Sequence, residues 1–137
     1  MRRYSRFDNR IWDQPWFREL PDDSPLLWLW LNHNRDVSPC GLWRIDLRAA
    51  SHATLLPERD IARWLAAWER LGLLRSDGRF VLLPQFSGEQ CVTPRLQRRA
   101  LRDALVLSCE TPLALEWLKV QREEDVENER KSAEVRG

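Results

Sequence analysis

The sequence predicts a mainly α fold with one small β-hairpin (α+β), on three observations. Apolar residues recur at helical spacing from Glu58 to Leu71, two short apolar runs flank the Asp77-Gly78 pair, and helical periodicity resumes after Pro94. At 137 residues the chain is long enough for one compact domain with a real core and short for two. Residues 1–11 read as a basic arm, 12–120 as the folded body and 121–137 as a charged tail.

Each element has a local reason. The opening ten residues set Arg2, Arg3, Arg6 and Arg10 against Asp8 alone, with Tyr4 and Phe7 interleaved. They suit a functional arm or a solubilising terminus equally. Asp22, Asp23, Ser24 and Pro25 signal a helix start, with Ser24 as the expected cap and Pro25 in the first helical position. Leu26 to Leu31 is apolar on every side, so this short helix is expected in the middle of the body. Turn formers occupy Asn32 to Pro39, and Gly41 opens a strand from Leu42 to Ile45.

Leu47 to Leu55 carries Leu47, Ala50 and Ala53 or Thr54 as the buried side of a weak helix. After Pro57 the longer helix turns Ile61, Trp64, Leu65, Trp68 and Leu71 inward, and Gly72 stops it. Leu73 to Arg75 and Phe80 to Leu83 form the hairpin around Ser76 to Arg79, and Pro84 ends it. A further helix runs from about Pro94 to Ser108 on an apolar stripe of Leu96, Ala100, Leu101, Ala104 and Leu107. Another runs from Pro112 to about Val120. Beyond Gln121 six acids stand against four bases, so the tail is a solvated helix extension or disorder.

Helix, strand, helix, turn, helix, hairpin is the order of a winged helix-turn-helix, here followed by C-terminal helices. In that motif the second helix of the pair enters the major groove. Its outward face here shows Arg59, Arg63 and Arg70 beside Ala66 and Ala67, and Arg75 and Arg79 flank the hairpin turn. Arginine bonds guanine or phosphate, and small alanines permit close approach, so these five arginines are the expected contacts to double-stranded DNA. Asp60 and Glu69 on the same helix leave open that the arginines form salt bridges on a solvated face.

A second set, Arg95, Arg98, Arg99 and Arg102, falls at i, i+3, i+4 and i+7 of one helix. Like charges so placed repel unless something anionic answers them, whether DNA, the acidic tail or a partner protein.

The run from Trp12 to Phe86, a little over half the chain, resembles the winged-helix domain of phage replisome-organiser and DnaD-like replication-initiation proteins. The likeness rests on "DQPWF", the apolar helix, "GLWRI", "WERLGLL" and "DGRFVLLPQF". It implies binding to DNA in phage replication initiation or transcriptional control, through the helix from Glu58 to Leu71 and its wing.

Other classes fit less well. Net charge is +1, with 22 basic against 21 acidic residues, so any basic surface is local. Only Lys119 and Lys131 are lysines, and arginine's planar fork favours phosphate and carboxylate pairing, although a GC-rich coding sequence gives the same bias. Cys40, Cys91 and Cys109 are odd in number and widely spaced, with only His33 and His52 to assist them, so neither a zinc site nor a disulfide framework is expected. With no phosphate loop, no nucleophile with a partnering base, and Asp22-Asp23 and Glu123-Glu124 read as cap and tail chemistry, no enzyme and no cofactor is expected. The longest apolar run is about a third of a membrane span and no leader opens the chain, so a cytoplasmic protein without membrane contact is expected. Eight tryptophans must mostly lie in the core.

The rival to DNA binding is a phage factor that uses this scaffold to grip a host protein such as RNA polymerase or its sigma factor. Near-zero net charge and abundant Trp and Arg suit such an interface. The protein is expected as a monomer or a homodimer.

Overall fold

The computed structural model describes residues 9–21 and 23–136. Most of the basic arm, with Arg2, Arg3 and Arg6, therefore lies outside the described residues, as does Asp22. A 3-10 turn at Asn9–Asp13 leads to α1 (Pro15–Arg18) and α2 (Ser24–His33). Next come β1 (Leu42–Arg44), α3 (Leu47–Thr54), α4 (Glu58–Arg70), β2 (Arg75–Ser76) and β3 (Phe80–Leu82). Three further helices follow, α5 (Phe86–Gln90), α6 (Pro94–Leu107) and α7 (Pro112–Arg136). The order of helix, strand, helix, turn, helix and hairpin matches the expectation. The fold is mainly α with a small antiparallel sheet in the order β1-β3-β2.

The start of α2 differs from its expected form. Ser24 is already inside the helix and fully buried, Asp23 precedes it, and the Ser24 hydroxyl donates to the Pro21 carbonyl at 2.6 Å instead of capping. Leu27, Trp28 and Leu31 of this helix are buried, while Leu26 faces outward. Side-chain caps form elsewhere: Asp46 accepts the amides of Arg48 and Ala49 at the head of α3, and Thr93 accepts that of Leu96 at the head of α6. The turn between α3 and α4 places Leu55 in the left-handed region (φ 63°), with the Ser51 hydroxyl donating to the Leu56 carbonyl at 2.5 Å.

The sheet separates two cores. Strand residues alternate between faces, and opposite partners share a face. Trp43 pairs with Val81 and faces the helices α1 to α4; Leu42 pairs with Leu82 and faces α6 and α7. In the first core Phe17, Leu27, Trp28, Leu31, Ile61 and Trp68 meet. In the second, Ala100 and Ala104 of α6 let α7 approach closely with Leu113, Ala114 and Trp117. All three residues of β3 are buried as a result.

Trp28, Trp43, Trp68 and Trp117 are buried, and Trp16, Trp30 and Trp64 pack against the first core half-buried. A run of ring contacts, Trp16 to Trp28 at 5.1 Å, Trp28 to Trp68 at 5.2 Å and Trp68 to Trp64 at 5.5 Å, ties α1, α2 and α4 together. Two expected core leucines lie outside: Leu71 is 71% exposed because it caps α4 just past the buried arc, and Leu101 is 46% exposed because Ala100 and Ala104 hold the contact. Among the described residues no helix is long and apolar enough to cross a membrane.

Candidate nucleic-acid interface

Helix α4 is pinned by Ile61, Leu65 and Trp68, and those three positions fix what its opposite arc shows. At 100° per residue, Arg59, Arg63 and Arg70 fall together on that arc with Ala62 and Ala66 beside them, and all five are exposed. From Arg59 to Arg70 the stripe is about 16 Å long. Arg63 pairs with Asp60 at 2.6 Å, yet its side chain stays 77% exposed, so the pair is a weak surface contact that a phosphate can displace. Arg59 and Arg70 form no ion pair among the described residues. Arg48 and His52, on the neighbouring helix α3, are exposed as well.

The hairpin arginines are placed differently. Leu74 belongs to the first core, so Arg75, one residue on, falls on the opposite face of the sheet, where α7 lies. There its guanidinium donates twice to the Glu116 carboxylate, both at 3.1 Å, with Glu69 3.9 Å away. Those hydrogen bonds and the Glu116 charge raise the Arg75 pKa further. Arg79 lies 6.0 Å from the Phe80 ring centroid and reaches the Glu110 carbonyl at 3.5 Å. The structure thus brings Arg59, Arg63 and Arg70 together and commits Arg75 to the C-terminal helices.

The hairpin turn itself is locked. Asp77 accepts the amides of Phe80 (2.7 Å) and Arg79 (2.9 Å) on one oxygen and the Thr111 hydroxyl (2.5 Å) on the other. Partial burial pushes the Asp77 carboxyl up, but the Thr111 hydroxyl, the two amides and the Arg79 charge outweigh it and hold the carboxyl below its ordinary value. Thr111 is buried, and its oxygen accepts the Leu113 amide at the head of α7. Replacing Asp77 by alanine strips three hydrogen bonds and strands a buried hydroxyl, so we expect a loss of about 1–3 kcal/mol in urea unfolding followed by tryptophan fluorescence. Because folding lowers this pKa, the contribution is complete above the unfolded carboxylate value of about 3.9 and disappears as pH falls through the native one. The alanine variant should therefore lose part of the acid sensitivity of the parent. Unchanged stability at neutral pH would refute the assignment.

Arg95, Arg98, Arg99 and Arg102 line one shallow groove on the outer side of α6, and none forms an ion pair among the described residues. One further feature had no sequence signal: a cleft of about 450 Å³ whose lining includes Trp16, Trp28, Asn32, His33, Gln85 and Phe86. It arises where α1, α2 and α5 meet, and α5 carries no apolar periodicity to announce it. Burial lowers the His33 pKa there. Among the described residues no group of three or more His, Cys, Asp or Glu side chains is gathered to hold a metal ion. Burial raises the pKa of the Cys40 and Cys91 thiols, which keeps them protonated inside the second core.

Fold and surface together define a class: a mainly helical α+β domain in which α4 and α6 each present an uncovered, arginine-lined face. Comparison of the chain with protein-family models, with curated proteins and with solved structures finds no match.

Proposed function

We propose that the chain is a winged-helix domain that binds double-stranded DNA through the outward arc of α4. The observation that carries this reading is the exposed set of Arg59, Arg63 and Arg70 on a helix whose other side is fixed to the core. Three guanidinium groups in one line, separated by alanines, match a groove edge where charged side chains meet phosphate and short ones let the helix sit deep. Helix α3 crosses just before it, as the first helix of such a pair does. Arg79 remains near the hairpin tip as a backbone contact, whereas Arg75 acts as a strut between sheet and α7. The likeness of Trp12 to Phe86 to replisome-organiser and DnaD-like domains supports a role in phage replication initiation or transcriptional control.

The test is fluorescence anisotropy with a labelled duplex of mixed sequence across a salt series. The parent should bind with an affinity that falls steeply as salt rises. Changing Arg59, Arg63 and Arg70 to alanine should weaken binding at least about tenfold and flatten the log–log salt slope by about 0.9 for each phosphate that is no longer neutralised. Binding that is absent at low salt, or that the triple variant leaves intact, would remove the basis for this reading.

A further inference from the structure

The arginine face of α6 is not used by α4, the hairpin or either core. Arg95, Arg98, Arg99 and Arg102 project from the side opposite Ala100 and Ala104, and among the described residues none of the four forms an ion pair or side-chain hydrogen bond. Leu101 and Leu105 lie at i+3 and i+7 from Arg98 and are exposed, so the face combines four positive charges with an apolar edge.

The complementary surface is on the same chain. From Glu123 to Glu129 α7 carries five acids, Glu123, Glu124, Asp125, Glu127 and Glu129, and no base. Among the described residues only Glu127 of these five is in a salt bridge, to Arg130 at 2.9 Å. Val126 in their midst is exposed. The two charged segments match in length: Arg95 to Arg102 and Glu123 to Glu129 each cover about 10 Å of helix. They do not meet within one molecule. Helix α7 runs unbroken from Pro112 to Arg136, so its acids are carried on a rigid extension and cannot fold back over the outer side of α6 without breaking the helix.

We infer that the Arg95–Arg102 face of α6 receives the acidic segment of α7 from a second copy of this chain. Because each copy offers one basic and one acidic segment, two copies satisfy each other reciprocally, and a closed twofold pair results. Val126 then covers the apolar edge at Leu101 and Leu105. The inference is independent of DNA binding through α4.

Sedimentation velocity of the full chain without DNA tests it. We expect a dimer at about 0.1 M salt and at least tenfold weaker association at about 1 M, where the screening length contracts from about 10 Å to about 3 Å. Reversing the basic face (Arg98→Glu with Arg102→Glu) should give a monomer, as should reversing the acidic segment (Glu123→Lys with Glu124→Lys). Mixing the two reversed proteins should restore a dimer, since each then carries the surface that the other lacks. All four positions are exposed, and circular dichroism of each variant checks that its helices are intact. A parent that is monomeric at low salt, a dimer that survives either reversal, or a mixture that stays monomeric overturns the inference. A monomeric parent whose duplex binding is lost on reversing Arg98 and Arg102 would assign the face to nucleic acid instead. The Arg59, Arg63, Arg70 triple alanine variant should dimerise as the parent does, which separates this result from the fate of the DNA reading.

Discussion

Replacing Trp68 by alanine is expected to remove about 3–5 kcal/mol of folding free energy, a large part of the 5–15 kcal/mol that a domain of this kind possesses. Trp68 is 1% exposed and is the largest of the fully buried side chains. Its indole meets Trp28 edge-on at 5.2 Å and lies tilted against Trp64 at 5.5 Å, so truncation opens a cavity bordered by two rings that cannot collapse into it together. The loss is one of packing and not of hydrogen bonding, so Trp68→Phe should recover more than half of it. Equilibrium urea unfolding by circular dichroism gives the measurement. A cost below about 1 kcal/mol for the alanine variant would mean that α4 is not anchored as described.

The second large effect is expected at Gly41. This residue is buried immediately before β1 with φ of 80°, a conformation that costs a residue with a side chain about 1–2 kcal/mol. A Cβ built there would sit 2.6 Å from the Leu83 carbonyl oxygen and 2.7 Å from the Phe86 Cβ, and neither belongs to the loose end of a flexible side chain. The Gly41 carbonyl also accepts the Leu83 amide at 2.8 Å, so backing the strand away from the clash would stretch that bond. Overpacking adds about 1–3 kcal/mol, and Gly41→Ala should therefore lose about 2–5 kcal/mol. Gly72 and Gly78 also have positive φ but face open space, so alanine at Gly78 bears the conformational cost alone and serves as the control. Equal losses at Gly41 and Gly78 in thermal unfolding would contradict the close approach of Gly41 to Leu83 and Phe86.

Much of the fold was legible in the residues because local chemistry and burial agreed. The stripe of Ile61, Leu65 and Trp68 fixed both the inner and outer sides of α4, and the Asp-Gly pair marked the hairpin. What escaped reading depended on long-range neighbours. Ser24 has the residue type of a cap, but the Pro21 carbonyl competes for its hydroxyl and the helix begins beneath it. The commitment of Arg75 follows from alternation only once α7 is known to cover the second face of the sheet, and no local pattern says that it does. Leu101 has the right spacing for the buried stripe, yet two alanines bring α6 so close to α7 that the contact is complete without it. The tail's low apolar content left helix and disorder equally open. The helix extends to Arg136, with the Glu127 and Arg130 pair bridging one of its turns.

The hydrogen bond between Asp77 and Thr111 has a mechanical consequence. It fastens the hairpin tip to the root of α7, a rod of 25 residues and about 37 Å. Tilting such a rod by about 5° about its root sweeps the far end through about 3 Å. The hairpin tip thus helps to clamp the base of a long pointer, together with Leu113, Ala114 and Trp117 in the second core, and that clamp sets the direction of the remote tip.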